Sequence, residues 1–286
     1  MKTVTKIGIK KLLHTKIVYN NAQKKQIFMR LIDTHCHLYL EDYNKDLDEV
    51  MLRAAEAGVE KFYLPAIDSA ITDDLLSMEV KFPGRCFPMM GLHPCSVHEN
   101  FKKELNIVEE WINKRSFPAI GEIGLDFYWD TSFATQQYEA FETQMQWALD
   151  RYLPIVIHTR NAMQKTIDTV RPFAKKGLRG IFHCFGDSYE MAAQIIDTGF
   201  YLGSGGVLTY KKSGLAEVIK KIDLNHIVLE TDAPYLTPVP FRGKRNESSY
   251  LKFIAEKLAE IKNMDVNEVA EVTTANAEKI FAGVRL

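Results

Sequence analysis

From residue 30 onward the chain alternates short apolar runs with longer stretches in which apolar residues recur every three or four positions. The first pattern is that of a buried strand and the second that of an amphipathic helix. The apolar runs predict strands at 30–34, 61–66, 86–91, 117–124, 154–158, 179–184, 200–204 and 226–231. Helical spacing predicts helices at 46–57, 69–80, 103–114, 132–151, 162–175, 189–198 and 214–221 between them, then two more at 249–261 and 266–281. Strands that are apolar throughout imply a parallel sheet covered on both faces. Eight strand–helix units in about 250 residues have the size and order of a (β/α)8 TIM barrel, an α/β fold, here with an extra C-terminal helix. The rival, an open doubly wound sheet, would often carry a G-X-G-X-X-G after its first strand, which this chain lacks. No low-complexity linker interrupts the pattern, so residues 29–286 read as one domain.

Charge changes this picture only at the N-terminus. The net charge is −1, but residues 1–30 hold eight cations and no acid, so the acidic excess lies in the barrel. Residues 1–28 read as an appended basic arm. They lack the apolar segment of a secretory signal and the Arg and Ser of an organellar presequence, and Met29 reads as a more natural start. No apolar run approaches the ~20 residues of a membrane span. The expected location is therefore cytoplasmic, with no protein partner implied and a monomeric chain. The four cysteines form no C-X-X-C and read as small buried hydrophobes in a reducing compartment.

The candidate chemistry lies in where the polar residues fall. His35 and His37 close the first strand, two apart and so on one side of an extended chain. His93 follows the third strand, Glu122 sits late in the fourth, His158 ends the fifth, His183 is near the end of the sixth, and Asp232 follows the eighth. Five of the eight histidines thus mark strand ends, the barrel face on which active sites are built. A carboxylate can bridge two cations about 3.5–4 Å apart. Glu122, in an otherwise apolar strand, is the candidate bridge. His35, His37 and Asp232 would complete one ion's shell, and His158 and His183 would hold the other. Mixed imidazole and carboxylate suits Zn²⁺, Mn²⁺ or Fe²⁺ better than Mg²⁺. Asp232 serves in this reading as both ligand and base. Glu230, two residues earlier, reads either as a support for the ligands or, preferably, as a structural partner for an Arg or Lys.

The motifs DTHCH, GLHP, GEIGLDFYWD, HTR, HCF, ETDAPYLTP, RGKRN and TTANAEKIF occur in that order. Together they resemble the TatD family of metal-dependent deoxyribonucleases, within the amidohydrolase-like barrels, from about Met29 to the C-terminus. The resemblance implies metal roles for His35, His37, Glu122, His158, His183 and Asp232, and two divalent ions per chain (Zn, Mn, Mg or Fe). It also implies hydrolysis of phosphodiesters in DNA, 3'-5' exonuclease-like on single strands, by a hydroxide activated between the two cations. Ser248 stands where family members usually have proline. His93, Arg160, Arg242, Lys244 and Arg245 are the candidate substrate contacts, with Phe127, Tyr128 and Trp129 either a stacking platform or packing. The alternative is another barrel hydrolase acting on a lactone, amide or phosphotriester. Many of those bridge their metals with a carboxylated lysine on the fourth strand, where this chain has Glu122.

Overall fold

The computed structural model describes residues 29–282. The basic arm at 1–28 lies outside the described residues. Eight strands alternate with eight helices: β1 (Leu31–Asp33), α1 (Leu47–Glu56), β2 (Val59–Pro65), α2 (Thr72–Lys81), β3 (Cys86–Met89), α3 (Phe101–Lys114), β4 (Ile120–Asp126) and α4 (Ala134–Asp150) form the first half. The second half is β5 (Ile155–Arg160), α5 (Met163–Ala174), β6 (Gly180–Phe182), α6 (Tyr189–Asp197), β7 (Tyr201–Ser204), α7 (Leu215–Lys221), β8 (Ile227–Leu229) and α8 (Leu251–Lys262). An additional helix, α9 (Val266–Phe281), follows.

All strand pairs are parallel, in the orders β1-β2-β3 and β4-β5-β6-β7-β8. Two seams join these arcs. A bridge pairs Met90 with Ile120, another pairs Cys36 with Ala233, and the Thr34 amide donates to the Leu229 carbonyl at 3.1 Å. The sheet therefore closes into a (β/α)8 barrel. Its inner layer takes one side chain from each strand or the residue leading into it, among them Ile32, Met89, Val156, Ile181 and Val228. Phe281 of α9 stacks on Tyr63 of this layer with centroids 3.6 Å apart, so the extra helix closes one end. The carboxyl ends of the strands are left as the mouth.

The strands differ from the sequence reading where the mouth begins. β4 starts later and runs further than predicted, so Glu122 is central in it rather than late. β5 continues past His158 to Arg160 through the register Gly124↔His158, Leu125↔Thr159 and Asp126↔Arg160. Parallel backbone pairing does not require apolar side chains, and here the ladder outlasts the apolar run. β6 stops at Phe182, which leaves His183 in the following turn. The single helix predicted from Ser69 is a 3-10 turn (Ser69–Ile71) followed by α2. Two cysteines depart from the expected burial: Cys36 and Cys86 are buried, Cys184 is half-buried, and Cys95 is exposed.

Candidate functional site

At the mouth, Glu122 lies between two sets of imidazoles. It is 3% exposed. Its Oε2 is 3.1 Å from His35 Nε2 and 3.8 Å from His37 Nε2. Its Oε1 is 2.8 Å from His158 Nδ1, 3.3 Å from His183 Nε2 and 3.5 Å from His93 Nε2. Asp232 Oδ1 is 3.6 Å from both His35 Nε2 and His37 Nε2. Burial works against a charged Glu122, but the imidazoles of His183, His35 and His93 hold its carboxyl well below the usual range. Asp232 is held low in the same way, against its burial, by His37, His183 and His35.

The spacing of these donors fits a divalent cation. Ligands about 2.0–2.2 Å from a zinc-sized ion stand about 3.0–3.5 Å from one another. The Nε2 atoms of His35 and His37 are 3.2 Å apart, and Asp232 and Glu122 lie at similar separations from them. His35, His37 and Asp232 form one group able to hold an ion, and His35, Glu122 and His183 form another.

The far nitrogens of three histidines decide which atom faces inward. The Tyr39 hydroxyl donates to the Pro65 carbonyl at 2.6 Å, so at 2.8 Å it accepts from His37 Nδ1–H. That leaves the Nε2 lone pair of His37 free for a cation. Glu230 Oε1 accepts from His183 Nδ1 at 3.1 Å and so frees His183 Nε2. Asp126 Oδ2 accepts from His158 Nε2 at 2.8 Å and so turns His158 Nδ1 toward Glu122. Such outer partners fix tautomer and ring orientation at metal centres. Burial works against a charged Asp126, but His158 and the amides of Tyr128 and Trp129 hold it well below the usual range. Burial alone would lower His183, yet the carboxylates of Glu122 and Glu230 raise it, so a cation binding at Nε2 must displace a proton there.

Backbone placement follows from buried acids and amides. Asp33 accepts from the Thr231 amide at 2.9 Å, the Thr231 hydroxyl at 2.6 Å and the His35 amide at 3.4 Å. It ties the end of β1 to the segment that presents Asp232. Burial pushes its carboxyl up to about 7 despite these bonds. Asn246 donates to the carbonyls of Thr231 at 2.8 Å and Tyr235 at 2.6 Å, bracing the turn after Asp232. Gly203 makes room for Glu230, because a Cβ there would lie 2.2 Å from Glu230 Oε2.

The predicted substrate contacts separate. His93 Nδ1 accepts from the Cys95 amide at 3.0 Å, so a neutral His93 carries its proton on Nε2 and presents a donor, not a lone pair, toward Glu122. Arg160 is exposed and stacks 3.7 Å over Tyr128 and 5.1 Å from the centroid of Trp129. Those two aromatics are 51% and 70% exposed and are not core, whereas Phe127 is half-buried against Tyr138. Arg242 and Lys244 are exposed at the rim. Arg245 is committed elsewhere: both of its terminal nitrogens contact Asp46 at 2.7 Å, and it also donates to the Asp42 carbonyl. Ser248 is buried in the turn leading to α8.

Of the two readings for Glu230, the structure shows support of a candidate ligand: its partner is His183, not an arginine or lysine. The sequence reading missed Asp126, Tyr39 and Asp33. Asp126 carried a signal, since it lies four residues from Glu122 on a strand and so faces the same side. We expect Asp126→Ala to lower metal affinity or turnover about 10–100-fold. Asp126→Asn should recover part of the loss, because the amide oxygen still accepts from His158. Metal titration followed by a turnover assay checks both, and an alanine variant within twofold of wild type would contradict this orienting role.

Comparison with known proteins places nearly the whole described chain in one family. Residues 32–282 match the family model described as TatD related DNase. A Bacillus subtilis protein, the uncharacterized metal-dependent hydrolase YabD, is 38% identical over 252 residues, covering 88% of this chain and 98% of its own. The 3'-5' ssDNA/RNA exonuclease TatD of Salmonella typhimurium is 31% identical over 258 residues, with coverage of 88% and 98%. The crystal structure of YjjV, a TatD homologue from Escherichia coli, superposes with a TM-score of 0.83 at 27% identity, covering 89% of this chain and 99% of that one.

Proposed function

The chain belongs to the TatD related DNase family and is a metal-dependent hydrolase, and from that premise we propose that it is a binuclear exonuclease of single-stranded nucleic acid, acting 3'-5'. The observation that carries the reading is Glu122, whose two oxygens each face a different set of imidazoles. A pair of divalent cations in this donor set would lower the pKa of a water and neutralise charge growing on the phosphate. His35, His37 and Asp232 would hold the first ion and His158 and His183 the second, with Glu122 available to both. Asp232, 13% exposed at the mouth, accepts the proton of the attacking water. His93 presents its Nε2–H to a phosphate oxygen. Arg160, Arg242 and Lys244 hold flanking phosphates. Arg245 keeps the rim loop in place through Asp46.

Burial supports a preference for single strands. Glu122 and His183 are 3% and 7% exposed, so the scissile phosphate must descend below the rim. A flexible single strand or frayed end can make that descent, whereas the phosphates inside a duplex stay on a stiff helix. The 3'-5' exonuclease activity in the name of the Salmonella relative supports the same polarity. The test is a time course with metal-loaded protein on end-labelled single- and double-stranded oligonucleotides of one sequence and on a closed circular duplex. We expect a ladder shortening from the 3' end of the single strand, sensitive to chelator and slowed by salt. Equal rates on the closed circle, or turnover of a lactone with none of any polynucleotide, would overturn the proposal.

A further inference from the structure

Two adjoining cavities run outward from the site along the β7 and β8 side of the mouth. The first, about 590 Å³, is walled by Pro234, Tyr235, Thr237, Arg242 and Lys244. The second, about 540 Å³, is walled by Tyr210, Lys211, Lys212, Val239 and Arg242. Tyr210 and Arg242 border both, so the two form one groove. Tyr235 joins it to the metal donors, its ring edge-on to His37 with centroids 6.1 Å apart.

The groove has the chemistry of a polynucleotide track. The Arg242 guanidinium lies 4.1 Å over the Tyr210 ring, and the Tyr210 hydroxyl is pinned by donating to the Thr237 carbonyl at 2.9 Å. Tyr235 is half exposed. Lys211, Lys212, Arg242 and Lys244 are all exposed cations, against Asp42 as the one carboxylate in the walls. Aromatic faces interleaved with free cations bind successive bases and phosphates with little regard to sequence. The walls are braced before any ligand arrives. The Val239 amide donates to Thr209 Oγ1 at 2.9 Å across the groove, and Phe241 stacks on Tyr250 at 4.3 Å. On the opposite side of the mouth the cavity between Cys95 and Trp129 is only about 40 Å³, room for water but not for a nucleotide.

We propose that this groove, with Tyr210, Lys211 and Lys212 as binding residues, holds the body of a single strand while its end is cut at the metal centre. The proposal rests on the single-strand nuclease reading above. Each cavity has the size that takes one small ligand, so the groove holds about two nucleotides beyond the cleaved linkage. Cleavage should therefore grow more efficient as the substrate lengthens, until the groove is filled.

The experiment measures kcat/KM of the metal-loaded full chain on oligothymidylates of two to twelve nucleotides, with oligouridylates as a second arm. In wild type the value should rise with length to about four nucleotides and then level. The ratio of kcat/KM on the twelve-mer to that on the dinucleotide should fall about tenfold in Tyr210→Ala and in Lys211→Ala/Lys212→Ala. Melting temperature reports whether either variant is unfolded, and the lysine pair, lying on the surface, keeps the test valid if the tyrosine variant is not stable. In parallel, anisotropy of labelled twelve-mers in chelator measures binding without cleavage, and its salt dependence should weaken in the lysine variant. A ratio unchanged in both variants, or no length dependence in wild type, would overturn the groove. Binding that depends on Lys211 and Lys212 with no cleavage of any polynucleotide would keep the groove and overturn the nuclease reading. Parallel thymidylate and uridylate series mean that the track reads the shared single-strand chemistry. A length effect in one series alone assigns it to that nucleic acid.

Discussion

Replacing Glu122 by glutamine should lower kcat/KM by about a thousandfold or more at saturating metal while leaving the barrel folded. Glutamine keeps the shape and removes the charge. Both oxygens of the carboxylate are in use, Oε2 toward His35 and Oε1 toward His158 and His183. An amide would aim two N–H groups at nitrogens whose lone pairs are needed for a cation. The metal content of the purified variant, read by elemental mass spectrometry, should therefore fall together with activity. The fold should persist because Glu122 contacts imidazoles at the mouth, whereas the inner layer is made by Ile32, Met89, Val156 and α9. Thermal unfolding in chelator separates the two effects. Activity within about threefold of wild type would remove Glu122 from the centre, and with it the shared-carboxylate geometry.

The residues proposed for this centre were legible because strand ends and polar residues coincide along the chain. Glu122 stands out in an apolar run, and an unpaired buried carboxylate is costly. His35 and His37 announce themselves by a spacing of two on an extended segment. What the sequence did not disclose depends on partners far away in the chain. Arg245 looks like one more cation in a basic loop until Asp46, 199 residues earlier, takes up its guanidinium. Glu230 and His183 meet across 47 residues, and the register that brings them together belongs to the closed barrel, not to either segment. Asp126 is the intermediate case, with the alternation of β4 placing it on the Glu122 side and only the β4–β5 register putting His158 between the two acids. Strand limits were misplaced where backbone pairing continues without apolar side chains, as at Thr159 and Arg160.

That same register makes Gly124 a position where one methyl group should damage both the ladder and the site. Gly124 lies between Glu122 and Asp126 on β4 and pairs with His158 on β5. Its φ is +150°, and a Cβ there would stand 1.9 Å from the His158 carbonyl oxygen. The obstacle is backbone, so no side-chain rotation relieves it. Gly124→Ala must either break the ladder or push β5 away from β4, and either displaces the ring that both acids hold. We expect a loss of stability of about 3 kcal/mol or more. Turnover should fall by about a hundredfold, because displacements near 1 Å are enough to spoil a reacting geometry. The control is Gly177→Ala, a glycine at φ +100° where an added Cβ would meet no heavy atom within 4 Å. It carries the conformational penalty alone, about 1 kcal/mol, and lies in the turn after α5, away from the mouth. Denaturant midpoints and turnover measured on both variants separate backbone preference from contact. If the two lose the same stability and both keep their activity, the close approach of β4 to β5 is not what positions His158.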